Sequence, residues 1–374
     1  MKKALVVCHM GRHYRKFGQY DIKTLLNMGY EVEFAANFNL EIDKVNDKSI
    51  KIHQVDFQRS PFSLKNIKAY RQLKKIINSN QYDLIHCQSP VGGVLARLAA
   101  KKTRKKNKTK VIYTAHGFHF YKGSSFVPWI IFYPIEWLLA KNADTIVTIN
   151  KEDYNLAKNK FSKRCNNIVY IPGIGIELEK FNIRMNRSEQ EEYKKSLGLD
   201  KEDFVFTCIG RLDRNKNQIF LIQIMERLVK KNEHFHLLLV GADDLNGEYQ
   251  EYARKKNLTT NIHFLGNRDD VPQILNITDI VVSSSKREGL PVNIIEAFAS
   301  ANPVVALKCR GMEDLIENGE NGYIVNNLNE FIKKIGEIIN DNKLKNRIST
   351  KNRKKAADFS YEVVNEYVKK IFIL

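Results

Sequence analysis

The chain has 374 residues, which at about 150 residues per domain points to two sizeable domains. An apolar share of 43%, with 28% charged and 10% aromatic residues, excludes a disordered chain. Lys plus Arg (61) exceed Asp plus Glu (42), for a net charge of +19, a balance that suits phosphorylated substrates, an anionic membrane face or nucleic acid.

Part of that excess belongs to a general richness in Lys, Asn and Ile. The five cysteines (Cys8, Cys87, Cys165, Cys208, Cys309) are scattered, with no Cys-x-x-Cys. They suggest neither a disulfide framework nor a zinc ribbon and suit a reducing cytosol.

Short β-branched runs alternate with amphipathic stretches along the chain, the pattern of βα units around parallel sheets. The first set of predicted strands is Ala4–Cys8, Val32–Ala36, Ile52–Val55, Leu84–Cys87, Val111–Thr114, Thr145–Ile149 and Ile168–Ile171. Helical patterns fall between most of them, as at Leu64–Ile77, Val91–Ala100 and Lys151–Lys160. Ala4–Cys8 is too short for a signal peptide. The apolar segment Phe126–Ala140 contains Pro128, Pro134 and Glu136 and falls short of the roughly 20 residues that span a bilayer.

From Gly173 to Asp203 the alternation breaks into a linker and one charged helix. It restarts at Phe204–Ile209, His236–Val240, Ile262–Leu265, Ile280–Ser283, Pro303–Ala306 and Tyr323–Val325, and Asn327–Leu374 reads as helical. The expected fold is therefore α/β: two tandem doubly wound, Rossmann-like domains facing a cleft, residues 1–175 and 176–358, with a tail helix over 359–374 packing back on the first. Ligands of such sheets sit beyond the carboxyl ends of the strands.

Two strings at such ends carry chemistry. Arg287-Glu288-Gly289-Leu290-Pro291-Val292-Asn293-Ile294-Ile295-Glu296 follows a strand and opens a helix, whose first amides suit an anion. Glu288 and Glu296 cannot hold phosphate but accept hydrogen bonds from sugar and ribose hydroxyls. Gly210-Arg211-Leu212-Asp213-Arg214-Asn215-Lys216-Asn217 likewise follows a strand. Its Arg211 and Lys216, a turn apart, can clamp a diphosphate.

With these strings the chain resembles a family-4 retaining glycosyltransferase of GT-B architecture. The resemblance rests on Glu288 and Glu296 with seven residues between them, on Gly210-Arg211-Leu212 with Lys216, and on Leu237-Leu238-Leu239-Val240-Gly241. It continues through Phe264-Leu265-Gly266-Asn267-Arg268, Pro303-Val304-Val305-Ala306 and Asn321-Gly322-Tyr323. In the first half, His86-Cys87-Gln88-Ser89-Pro90-Val91-Gly92-Gly93 and Thr114-Ala115-His116-Gly117-Phe118-His119 are similar to the branch that builds bacterial capsule, exopolysaccharide and O-antigen units.

The resemblance implies a first domain for the acceptor and a second for a nucleotide-sugar donor, UDP-linked and with an N-acetylated amino sugar as one option. Arg211 and Lys216 would hold the diphosphate with the amides of Gly289 and Leu290. Glu296 would contact the ribose, Glu288 the transferred sugar, and His116 would sit near the reacting centre, so that His116 and Glu288 are the catalytic candidates. Gly11 would let backbone approach the diphosphate, although the loop reads His9-Met10-Gly11-Arg12-His13 where many relatives have Gly-Gly. Arg12, His13 and His119 are left as acceptor candidates.

No Asp-x-Asp occurs, and His9/His13 and His116/His119 lack a neighbouring carboxylate, so neither a metal nor another cofactor is expected. The expected acceptor is a polyprenyl-diphosphate-linked saccharide. The expected location is the cytoplasmic face of the membrane, held peripherally through the basic run Lys101–Lys110 and the segment Phe126–Ala140, which carries both tryptophans. Each of these two segments has a plain alternative, a solvated loop and a buried helix. A nucleotide-sugar 2-epimerase of the same fold is the rival enzyme, and no nucleic-acid module is present.

Overall fold

The structure, a computed structural model, describes residues 1–14, 18–39 and 49–374. It divides into two compact units, Met1–Gly175 with Tyr361–Leu374, and Ile176–Ser360. In the first, β1 (Lys2–Met10), β2 (Tyr30–Asn37), β3 (Lys51–Gln54), β4 (Leu84–Gln88), β5 (Lys110–Ala115), β6 (Thr145–Thr148) and β7 (Asn167–Tyr170) form one parallel sheet in the order 3-2-1-4-5-6-7.

In the second, β8 (Phe204–Ile209), β9 (Phe235–Val240), β10 (Ile262–Gly266), β11 (Ile280–Ser283), β12 (Val304–Leu307) and β13 (Tyr323–Val325) are parallel in the order 10-9-8-11-12-13. Each strand run expected from the sequence is a strand; inner strands such as β1, β8 and β11 are apolar runs buried on both faces, while the edge strand β3 is largely exposed. Strand order reverses beside β1 and β4 in one unit and beside β8 and β11 in the other. Those are the two places where doubly wound sheets bind ligands.

The second unit ends two residues beyond the expected 358. Ile176 N donates to Phe359 O at 3.0 Å and Ile176 bridges Ser360, so the chain is still tied to that unit there. The tail helix Tyr361–Ile373 belongs to the first unit. Its Tyr361 ring lies 4.9 Å from Tyr20, Phe372 lies 5.3 Å from the His86 ring, and Asn365 is hydrogen-bonded to Thr24.

Two segments differ in detail from the reading above. Lys101–Asn107 is a short helix rather than a loop, anchored by Arg104, which forks onto Asp144 at 2.6–3.0 Å, while Lys101, Lys102, Lys105, Lys106 and Lys108 remain exposed. In the helix Phe126–Ala140 the two tryptophans are partly buried against the core, and it is Phe126, Val127, Ile130, Ile135 and Leu138 that face outward. No helix among the described residues is long and apolar enough to cross a membrane.

Candidate active site

Loops from three strands meet at the carboxyl end of the second sheet. After β8, Gly210 takes φ +151°, and a Cβ there would sit 3.0 Å from Lys216 Cε; the bare backbone lets the lysine stem fold back over the strand end. Asp213 Oδ1 accepts the amides of Asn215 and Lys216 at 2.8 and 2.7 Å, an Asx turn that fixes the direction of the lysine.

Lys216 Nζ then donates to Glu288 Oε1 at 2.8 Å, in the loop after β11. Burial opposes the ammonium, but the Glu288 carboxylate outweighs it and holds the Lys216 pKa above the usual lysine range, so the side chain stays cationic. The two loops are laced further. Ser284 Oγ donates to the Lys216 and Asn217 carbonyls, both at 2.9 Å, and Lys286 N donates to Asn215 O at 2.8 Å.

Arg211 donates in forked fashion to Asp244 in the loop after β9, through Nε at 2.8 Å and through a second N–H. A pair this exposed contributes about 0–1 kcal/mol, so it orients the guanidinium without committing it. Gly289 and Leu290 lead through Pro291 into the helix Val292–Ala299, whose first amides have no preceding turn to accept them. Asn293 on that helix donates to Ile209 O, the end of β8, at 2.8 Å, and Glu296 three residues later shares its face.

The structure thus gathers Arg211, Lys216, Glu288, Gly289 and Leu290 at adjoining strand ends, with Glu296 one turn along the helix. Sequence reasoning missed two members. Arg310, after β12, donates from Nε to Glu288 O at 3.2 Å, and Asp244 aims Arg211.

In the first unit, His116 follows β5. Gln88, at the end of β4, donates from Nε2 to Asp21, leaving its Oε1 to accept from His116 Nε2 at 2.7 Å. Asp21 and Gln88 therefore hold the imidazole with its proton on Nε2; neither was assigned a role from the sequence. Ser89, next in the chain, sits at φ +66°, ψ +157°, a strained conformation of the kind that collects at functional sites.

Gly11 follows β1, and a Cβ there would lie 2.7 Å from Phe38 Cδ1, so the aromatic ring already requires the glycine. Arg12 and His13 form the following turn, with the His13 ring 4.6 Å from that of His9. His119 packs on Phe132, ring centroids 4.7 Å apart, and lines a different cavity from His116. Among the described residues, no group of three His, Cys, Asp or Glu is placed to hold a metal ion.

Residues 189–355 match the glycosyl transferases group 1 family and residues 4–150 the glycosyl transferase 4-like family. EpsD of Bacillus subtilis (strain 168), itself named as a glycosyltransferase, is 35% identical over 361 residues, covering 96% of this chain and 93% of that protein. The chain belongs to this glycosyltransferase family.

An Escherichia coli relative, 28% identical over 74% of this chain and 72% of its own, is named UDP-Gal:alpha-D-GlcNAc-diphosphoundecaprenol alpha-1,3-galactosyltransferase. Among solved structures, Anabaena Alr3699/HepE in complex with UDP-glucose superposes with a TM-score of 0.78 at 20% identity, covering 100% of both chains. That likeness establishes the GT-B fold.

In the first unit of the glycosyltransferase, three histidines are disfavoured as cations by partial or full burial. Burial lowers the pKa of His9 to about 4, of His86 to about 3 and of His116 to about 4, whereas burial raises Asp21 to about 7. The unfolded histidines titrate near 6.5. Between about pH 4 and 6.5 the unfolded chain therefore binds the extra histidine protons, and their contribution to stability falls as pH falls. Asp21 works the other way over about pH 4–7, since its folded form holds the proton. Three groups against one leave about two protons taken up on unfolding near pH 5 from this set. Lowering pH from 7.5 to 5 is expected to lower the melting temperature, and a His86→Asn variant to show a shallower fall; equal slopes would contradict the assignment.

Proposed function

We propose that this glycosyltransferase moves a sugar, with its anomeric configuration retained, from a UDP-sugar to a polyprenyl-diphosphate-linked saccharide in bacterial surface-polysaccharide synthesis. The observation that carries the reading is the Lys216–Glu288 contact at the reversal of strand order, with Arg211 and the Gly289 and Leu290 amides beside it. The name of the E. coli relative supports both the UDP donor and the lipid-linked acceptor.

In this reading the donor C1–O bond breaks and the electron pair leaves with the β-phosphate oxygen. Arg211, Lys216 and the helix amides neutralise the charge that develops there. The departing oxygen takes the proton of the acceptor hydroxyl, whose oxygen bonds C1 from the same face. Glu288 accepts from hydroxyls of the transferred sugar, Glu296 from the ribose, and the neutral His116 exchanges hydrogen bonds with the reacting sugar without adding charge. Arg12, His13 and His119 serve the acceptor. The two cations do the work that a metal does elsewhere, so no metal is required.

Peripheral attachment to the cytoplasmic membrane face is part of the proposal. The outward Phe126 (75% exposed), Val127 and Ile130, and likewise Phe62 (66% exposed) and Leu64, are exposed apolar side chains, and exposed lysines 101, 102, 105, 106 and 108 would supply attraction to anionic lipid.

The test is turnover of a panel of UDP-sugars with and without a polyprenyl-diphosphate-linked acceptor, in EDTA, with the product anomer read by NMR. Acceptor-dependent product of retained configuration is expected. Product from UDP-N-acetylglucosamine alone would favour the epimerase and overturn the reading. Glu296→Ala is expected to raise the donor KM about 10–100-fold, the worth of a hydrogen bond to a charged group; an unchanged KM would remove its ribose role.

A further inference from the structure

A cavity of about 150 Å³ lies in the first unit between the helix Pro90–Ala99, the loop after β5 and the helix Phe126–Ala140. Val94, Leu95, Phe120 and Phe132 form its walls, and the exposed Phe62 and Ile135 mark its mouth.

Two of its polar lining side chains, Asn66 and Glu136, are satisfied within the protein. Asn66 accepts from Gln58 N at 3.0 Å and donates to Ser60 O at 2.9 Å. Glu136 accepts from Tyr113 Oη at 3.0 Å and from Arg97 at 2.8 Å. Those two groups therefore need no water, and apolar cavities of this size admit hydrocarbon. At about 30 Å³ per water-sized volume it has room for about five such volumes, close to one branched five-carbon unit.

The surroundings say what kind of molecule enters. On the helix Pro90–Ala99, Val91, Val94, Leu95 and Leu98 form one stripe that runs from the cavity wall to the exposed Leu98, and the basic helix Lys101–Asn107 follows directly. His119, three residues after His116, stands at the cavity on the side of the loop after β5. The cavity matches a hydrocarbon ligand, and the lysines, at the far end of the helix Pro90–Ala99 from it, match the anionic membrane surface in which such a ligand is held.

We propose that this cavity takes an isoprene unit of the acceptor's lipid carrier, so that the protein grips the chain itself and not only the saccharide. This rests on the reading of the acceptor as polyprenyl-diphosphate-linked. The grip places the carrier's diphosphate near His119 and the loop that bears His116.

The probe is farnesyl diphosphate, titrated calorimetrically into the full chain beside inorganic diphosphate and dodecyl phosphate. The wild type is expected to bind farnesyl diphosphate at least about tenfold more tightly than inorganic diphosphate, the value of roughly two buried methylenes, and more tightly than dodecyl phosphate. Val94→Phe, which fills the cavity, is expected to abolish that preference. Should it fail to fold, Val94→Ala, which enlarges the cavity, is expected to alter the ratio of farnesyl to dodecyl affinity. Equal binding of farnesyl and inorganic diphosphate, or a preference that survives Val94→Phe, overturns the proposal, and dodecyl phosphate binding as well as farnesyl overturns the isoprenoid assignment. These binding results are independent of turnover. A wild type that prefers farnesyl diphosphate yet glycosylates no lipid-linked acceptor would overturn the functional reading while leaving the cavity assignment standing.

Discussion

Lys216→Ala is expected to lower kcat by about 10²–10³-fold while leaving the melting temperature within a few degrees of wild type. Two effects act together. The variant loses the cation proposed to neutralise the departing diphosphate, and it leaves the Glu288 carboxylate, 2.8 Å away in the parent, without its partner. An unpaired carboxylate facing a diphosphate repels it, so donor affinity falls as well as turnover. Lys216→Arg keeps the charge but not the compact reach of the ammonium over Gly210, and is expected to recover only part of the activity. Wild-type turnover in Lys216→Ala would remove the donor-site assignment.

The second large effect is on stability. Arg97 is fully buried, with Nε on Gly93 O at 3.0 Å, a second nitrogen on Glu136 Oε2 at 2.8 Å and the guanidinium 3.9 Å from the centroid of the Tyr113 ring. Tyr113 Oη completes the set on Glu136. This is what allows a carboxylate in the otherwise apolar helix Phe126–Ala140, and it ties that helix to Pro90–Ala99. Arg97→Ala strands the Glu136 charge and is expected to cost about 3–5 kcal/mol in urea unfolding. The paired replacement Arg97→Met with Glu136→Leu is expected to recover most of that loss, because buried ion pairs are often matched by apolar residues of similar volume. A single variant within about 1 kcal/mol of wild type would contradict the account.

Inner strand positions were legible because both faces of the sheet are covered there, which turns strands into unbroken apolar runs such as Ala4–Cys8 and Phe204–Ile209. The two strings at the strand ends were legible because each is local: Arg211 and Lys216 sit in one loop, and Glu288 to Glu296 in one loop-helix join. Contacts between strands were not. Asp244 meets Arg211 only because β9 lies beside β8, and Gln88 meets His116 only because β4 lies beside β5. Glu136 read simply as a charge that interrupts an apolar segment, since its partner Arg97 comes from another helix. The outward face of Phe126–Ala140 was hidden for a related reason: a helix apolar all round gives no periodicity from which to tell the packed side from the open one.

The central claim is that loops after β8 and β11 hold a nucleoside diphosphate through its phosphates. Calorimetric titration of the full chain with UDP and with uridine tests it most directly, comparing wild type with an Arg211→Ala/Lys216→Ala double variant. Wild type is expected to bind UDP at least about 10²-fold more tightly than uridine, from two charge-assisted contacts, and the double variant to bind both alike. An undiminished preference for UDP in the double variant would contradict the account.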